Sequence, residues 1–247
     1  MSGVLRAALA AVAFLTRLPV GRVELGPEDV ARGAVFFPAV GAGTGALVGL
    51  VAVGTDARLT ALLAAALALT LEALLTGAIH LDGLADTADG LGARTRERAL
   101  AAMREPAVGA FGATALGLDL LVKTAAVAAI LSGPEPVLAL AAAFAVGRAA
   151  PLGLAGAFPY ARPDGGTGLV LTGRGAQGRL ATGILLGVAI AVAALGVRGL
   201  WLLAGAAVAV ALVMLVARRL GGVTGDVLGA ATELSTTLAL VAAAGTR

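Results

Sequence analysis

Cysteine is absent from this chain, and its absence excludes disulfides, thiolate metal sites and a cysteine nucleophile. Lysine is nearly absent: one stands against 17 arginines, and histidine, tryptophan and tyrosine occur once each. Charge is scarce as a whole. Asp, Glu, Lys and Arg make up 13% of the 247 residues, where a soluble domain carries about a quarter, so an ordinary soluble domain is excluded. What is abundant is apolar surface, at 59% hydrophobic residues and a mean hydropathy of +0.98, more than one soluble core of this size needs. The composition is that of a membrane protein. A formal charge of +3 and a pI near 10.5 would suggest nucleic acid in a soluble protein, but here the arginines mark membrane topology and no nucleic-acid partner is expected. The heavy use of Ala, Gly, Leu and Arg reflects in part a genomic bias, so a single glycine carries little weight alone.

A membrane-crossing helix needs roughly 20 mainly apolar residues. Seven windows meet that requirement: Gly33 to Val53, Leu59 to Ile79, Ala107 to Leu131, Val137 to Ala157, Leu180 to Val197, Leu200 to Ala217 and Val227 to Ala244. The expected fold is all-α: a polytopic transmembrane helix bundle of about seven spans with short loops, one integral membrane domain over residues 1–247. Val4 to Val20 is apolar but interrupted by Arg6, Arg17 and Pro19, and reads as an N-terminal helix lying on the surface or packed into the bundle. It lacks a clean cleavage site and does not read as a signal peptide. Seven spans sort the loops into two sets. One side collects Arg6, Arg17, Arg22, Arg32, Arg94, Arg96, Arg98, Arg104, Arg162, Arg174, Arg179, Arg218 and Arg219, and the other only Arg58, Arg198 and Arg247. The positive-inside rule makes the first side cytoplasmic, with the amino terminus inside and the carboxyl terminus outside.

At the edge of a very apolar segment stands His80-Leu81-Asp82-Gly83-Leu84-Ala85-Asp86-Thr87-Ala88-Asp89-Gly90. On a helix, the offsets of four and seven residues from Asp82 bring Asp86 and Asp89 onto its stripe. Like charges that close repel unless a cation sits among them, and an all-oxygen ligand set favours a hard divalent ion such as Mg2+. His80, two residues before Asp82, points away from that stripe on a continuous helix; at a helix end it is a candidate anion contact or proton carrier. The turn Gly92-Ala93-Arg94-Thr95-Arg96-Glu97-Arg98 reads as a solvated basic anchor at the membrane edge, from which one arginine reaches a substrate phosphate as the alternative.

Lys123 and Arg148 fall inside expected spans, as do Glu72 and Asp119, and ionisable groups in hydrocarbon are functional candidates by default. Lys123 follows Asp119 by four residues, the spacing of a structural ion pair, so pairing and substrate binding are both open. Arg148 has no acid nearby in sequence and precedes Pro151, which loosens a helix and opens a polar pocket for an anion. The loop Phe158-Pro159-Tyr160-Ala161-Arg162-Pro163-Asp164-Gly165-Gly166-Thr167-Gly168 offers backbone N–H groups at Gly165 and Gly166 and a guanidinium at Arg162, the donors that bind phosphate. An ordinary flexible turn is the alternative. Asp226, which opens the last span, is either a helix cap or a further metal or substrate group.

Taken together, the aspartate motif and Phe14-Leu15-Thr16-Arg17-Leu18-Pro19-Val20, Phe36-Phe37-Pro38-Ala39-Val40-Gly41, Gly109-Ala110-Phe111-Gly112, Gly147-Arg148, Pro159-Tyr160-Ala161-Arg162 and Thr224-Gly225-Asp226-Val227-Leu228-Gly229-Ala230 resemble the adenosylcobinamide-GDP ribazoletransferase, or cobalamin synthase, family. The resemblance covers nearly the whole chain. It implies a multi-pass phosphotransferase of the bacterial cytoplasmic membrane, with its active site facing the cytoplasm and Mg2+ as cofactor. In that family a hydroxyl of α-ribazole, or of its 5′-phosphate, attacks the cobinamide-side phosphorus of adenosylcobinamide-GDP, and GMP leaves. The resemblance leaves open a homo-oligomer or an assembly with other cobalamin-assembly enzymes. The acidic motif is similar to that of CDP-alcohol phosphotransferases, but Asp82-Gly83-Leu84-Ala85-Asp86 departs from their spacing, and their ligand assignments do not transfer.

The expected site follows from these residues. Asp82 and Asp86 hold a metal ion that neutralises the pyrophosphate, and Asp89 completes the metal shell or accepts the proton of the attacking hydroxyl. Asp226 is a further metal candidate, and His80, Lys123, Arg148, Arg162, Gly165 and Gly166 are substrate-binding candidates. The competing reading is an ion-coupled transporter using the same aspartates. Against it, transporter acids lie near the bilayer midplane between repeats, whereas this cluster sits at the end of a span and no internal duplication is evident. A scaffold or assembly subunit leaves the acidic stripe unexplained.

Overall fold

Residues 2–173 and 176–246 are described by a computed structural model; Arg174 and Arg247, two of the arginines used for topology, lie outside them. Helices account for nearly all of the described chain, as expected where no water is present to satisfy backbone groups. After α1 (Gly3–Leu15) and α2 (Pro27–Gly33) come α3 (Phe37–Asp56), α4 (Ala61–Thr76), α5 (Ile79–Gly92) and α6 (Arg96–Ala102). They are followed by α7 (Ala110–Leu131), α8 (Pro136–Ala157), α9 (Gln177–Leu195), α10 (Gly199–Leu220) and α11 (Gly225–Gly245). The sole β-type pairing among the described residues is an isolated bridge between Tyr160 and Val223.

Each of the seven expected windows contains one helix, but not all are spans of the simple kind. By length and apolarity five stretches qualify, or six if α4 and α5 together form one bent span. One of the five runs from Gln177 to Leu220 and contains both α9 and α10. The chain reverses within it: Gly196 takes a positive φ of 58°, and Gly199 packs directly against Ala191. The window Leu59 to Ile79 needs correction. Helix α4 is only 16 residues long, about 24 Å at 1.5 Å per residue and short of a ~30 Å hydrocarbon core. It ends at Thr76 and the chain turns through 89° into α5.

Chain reversals place the helix ends at two poles. Near one, Val48, Ala52, Ala65, Leu69, Ile130, Leu195 and Leu202 share a core with Leu140, Phe144 and Leu240. Near the other, Leu15, Phe37, Met103, Leu154, Leu180, Ala217, Val223 and Leu228 form a second core beneath the loops that carry α5, α6 and the start of α11. Helix α8 runs between them as the central post, buried along almost its whole length. Of the two placements open for the N-terminal helix, the packed one holds. Ala10 and Ala11 are fully buried, and a Cβ on Gly33 would stand 2.6 Å from the Ala7 carbonyl oxygen, so α1 and α2 touch backbone to backbone. Arg6 donates to both Asp29 oxygens at 3.2 and 2.7 Å and holds them together.

Candidate active site

The turn between α4 and α5 creates the site. Gly77 and Ala78 both adopt left-handed conformations, with φ of 62° and 58°. For glycine this is free, whereas for alanine it costs roughly 1–2 kcal/mol. The bend throws α5 across α11. A Cβ on Gly83 would stand 2.8 Å from the Asp226 carbonyl oxygen and 3.1 Å from Gly229 Cα, a contact open only to glycine. Asp82 and Asp86 on α5 are thereby set against Asp226 on α11.

All three aspartates of the motif lie on α5, but their surroundings divide them. Asp82 is exposed to the cleft, Asp86 is half-buried, and neither accepts a hydrogen bond from the described residues. Asp86 lies within electrostatic reach of Asp82, Asp226 and Arg162. Asp89 has different surroundings from the other two. Its two oxygens accept from the backbone N–H groups of Gly109 at 2.7 Å and Gly112 at 2.8 Å, capping the start of α7. A carboxylate held by two amides at a helix N-terminus is a weak base and an anchor. Glycine at 109 is required there, since a Cβ would stand 2.5 Å from Asp89 Oδ1.

Asp226 is not the cap of α11. That role belongs to Thr224, whose hydroxyl accepts from Val227 N at 3.2 Å. Asp226 instead receives the Arg162 guanidinium at 2.6 Å and the Thr224 hydroxyl at 3.3 Å, both on Oδ2, leaving Oδ1 free. Arg162 also donates to the Met103 carbonyl at 3.3 Å. Its loop is clasped by Arg104, which donates to both oxygens of Asp164 at 2.5 and 2.7 Å and holds that carboxyl below its usual range. Arg96, expected in a solvated basic turn, instead donates to the carbonyls of Leu220 at 2.6 Å and Ala161 at 3.0 Å. Gly165 and Gly166 supply the positive φ of 83° and 156° that the turn requires, with the Tyr160 hydroxyl over Gly166. The next two residues, Thr167 and Gly168, line the cavity beside Asp226, whereas Gly165 and Gly166 do not.

Below the cleft lies a buried ionic network. Lys123, 1% exposed, is paired with Glu233 and lies 3.6 Å from Asp119, which in turn accepts from Thr237 at 2.6 Å. Its charge is consumed by those acids and it lines neither cavity that opens at Asp82, so the structural reading of Lys123 replaces the substrate-binding one. Arg148 donates to Glu72 at 2.9 Å and Thr236 at 3.3 Å and stacks over Phe144 at 4.7 Å. It still lines a cavity, but its charge is matched by an acid 76 residues away. His80, turned from the aspartate stripe as expected, offers a ring nitrogen within 4.8 Å of Glu72 and Glu233 oxygens. Its buried Nδ1 has no hydrogen-bond partner.

Two cavities open at Asp82. The smaller, about 260 Å³, runs inward between α5 and α11 and includes Asp82, His80, Arg148 and Asp226. The larger, about 740 Å³, lies over the α4–α5 elbow between α1 and α7. Arg17 lines this larger cavity and has no ion-pair partner among the described residues. Sequence reasoning used Arg17 only as a topology marker. The signal available was its place in the Phe14 to Val20 motif.

No three of Asp82, Asp86, Asp89 and Asp226 bring oxygens within 4.8 Å of one another, so these aspartates alone build no closed metal cage. Mg2+ usually takes one or two carboxylates and completes its shell with waters and substrate phosphates. Asp82 and the free Oδ1 of Asp226, facing one cavity, fit that pattern.

These features define a class: a multi-pass helical membrane protein with an acidic, arginine-flanked cleft at one pole of its bundle. The sequence model of the family described as cobalamin-5-phosphate synthase matches residues 7–244. A relative from Klebsiella pneumoniae (strain 342), adenosylcobinamide-GDP ribazoletransferase, is 41% identical over 244 residues, 94% of this chain and 97% of its own length. The proteins of that name from Shigella flexneri and Escherichia coli O17:K52:H18 are 41% and 40% identical over 242 residues, again 94% of this chain and 97% of theirs. No solved structure matches the chain. The chain belongs to the cobalamin-5-phosphate synthase family, and is an enzyme of that family.

Proposed function

We propose that this enzyme joins adenosylcobinamide-GDP to α-ribazole, or to its 5′-phosphate, by phosphoryl transfer at the cleft beside Asp82. The acceptor hydroxyl oxygen bonds to the cobinamide-side phosphorus, the bond from that phosphorus to the bridging oxygen breaks, and GMP leaves. The hydroxyl proton passes to Asp86, the half-buried carboxylate to which no group among the described residues donates. Asp82 and Asp226 would hold Mg2+, which supplies charge neutralisation at the pyrophosphate. Arg162, held at 2.6 Å by Asp226, stands beside the same phosphates to offset charge on the leaving GMP. Arg17, unpaired in the larger cavity, is the second such cation.

The cleft belongs to the arginine-rich pole, and by the positive-inside rule that pole faces the cytoplasm, where a guanosine nucleotide is available. The observation that carries the reading is Asp82: an unpaired carboxylate opening on two cavities, in a chain whose relatives are ribazoletransferases. The test uses purified protein in liposomes. GMP release that requires adenosylcobinamide-GDP, α-ribazole and Mg2+ supports it; solute flux without GMP release would replace it with the transporter reading.

A further inference from the structure

The two cavities meet at the same three residues, Phe14, Ile79 and Asp82, and differ in almost every other respect. The inner one is small, about 260 Å³; its walls are mainly apolar, including the stacked rings of Phe14 and Phe37 at 5.5 Å, with Arg148, Asp226 and the shared Asp82 as its charged groups. His80 also lines it and is 5% exposed, with its buried Nδ1 turned away from the open space. The outer cavity is nearly three times larger at about 740 Å³, and Arg17 stands in it with no carboxylate partner among the described residues.

From this we infer that the reaction's two substrates enter from opposite sides of Asp82: the benzimidazole ring of the ribazole acceptor occupies the inner cavity, and the nucleotide-activated corrinoid donor occupies the outer one. The inference rests on the proposed activity and assigns its substrates to places. Size decides first. Cavities that enclose a drug-sized ligand measure roughly 300–1,000 Å³, so the inner one admits a single bicyclic ring and not a nucleotide joined to a corrinoid. Chemistry agrees. A benzimidazole is a flat, largely apolar body, which matches the aromatic walls. The donor substrate is a polyanion, which matches Arg17. With the base inside, the attached ribose lies at the mouth, at Asp82, where its hydroxyl meets the donor's phosphorus.

Steady-state kinetics on the full-length protein in liposomes test this. Thr232→Met and Leu171→Trp, on different elements of the inner wall, should each raise KM for α-ribazole at least about 10-fold and leave KM for adenosylcobinamide-GDP within about 2-fold. Arg17→Gln should do the reverse. In the wild type, free 5,6-dimethylbenzimidazole should inhibit competitively against α-ribazole but not against adenosylcobinamide-GDP, a result independent of any variant's folding. Equal changes in both KM values, a reversed pattern, or competition against the corrinoid substrate would overturn the assignment. If the wild type releases no GMP at all, it is the proposed activity that fails.

Discussion

Asp89→Asn separates an anchor from a metal ligand. Asp89 receives backbone N–H groups from Gly109 at 2.7 Å and Gly112 at 2.8 Å, and hydrogen bonds to a charged group contribute about 1.5–3 kcal/mol each. Asparagine keeps one acceptor oxygen and turns its NH2 toward the other amide, so one bond is lost and two donors face each other. Because the Gly109 side is exposed, the total loss is discounted to about 1.5–3 kcal/mol. At roughly 2–4 °C per kcal/mol for a chain of this size, Tm should fall by roughly 3–12 °C in a fixed detergent. Well below that Tm, turnover should stay within about 10-fold of wild type, because the cleft carboxylates Asp82, Asp86 and Asp226 are untouched. An unchanged Tm with turnover reduced more than about 1,000-fold would refute the reasoning and return Asp89 to the reacting groups.

Two further outcomes follow from buried features. Arg148→Leu leaves Glu72 unpaired among apolar helices and should cost about 3–5 kcal/mol, while the Glu72→Leu, Arg148→Leu double variant should recover most of it; thermal unfolding of the single and double variants measures the difference, and equal losses would contradict the pairing. Ala78→Gly removes the strain of a left-handed alanine and should raise Tm by a few degrees, about 1 kcal/mol; a fall in Tm would show that the elbow needs the alanine.

The helices were legible because each is a long apolar run, and every window contains one. The bend at Gly77 and Ala78 was not, because alanine gives no sign of a left-handed backbone and the apolar run passes straight through it to Ile79. Within the site, the stripe of Asp82 and Asp86 follows from helical spacing alone. The same spacing fits Asp89 equally well as a ligand or as a cap, and the amides of Gly109 and Gly112 that it receives at the start of α7 are 20 or more residues away in sequence. Partners distant in sequence explain the other differences. Asp119 was visible four residues from Lys123, but Glu233 lies 110 residues away, and the acid that matches Arg148 lies 76 residues before it. Arg162 was read as a free phosphate donor, whereas its guanidinium is paired with Asp226, 64 residues further on.

The most direct measurement of the central claim is turnover by Asp82→Asn, reconstituted in liposomes and assayed for GMP release with both substrates and Mg2+. Loss of the carboxylate that opens on both cavities removes several kcal/mol of charge stabilisation, so release should fall at least about 1,000-fold with membrane insertion and Tm preserved. GMP release within about 10-fold of wild type would contradict the claim that the reaction takes place at Asp82.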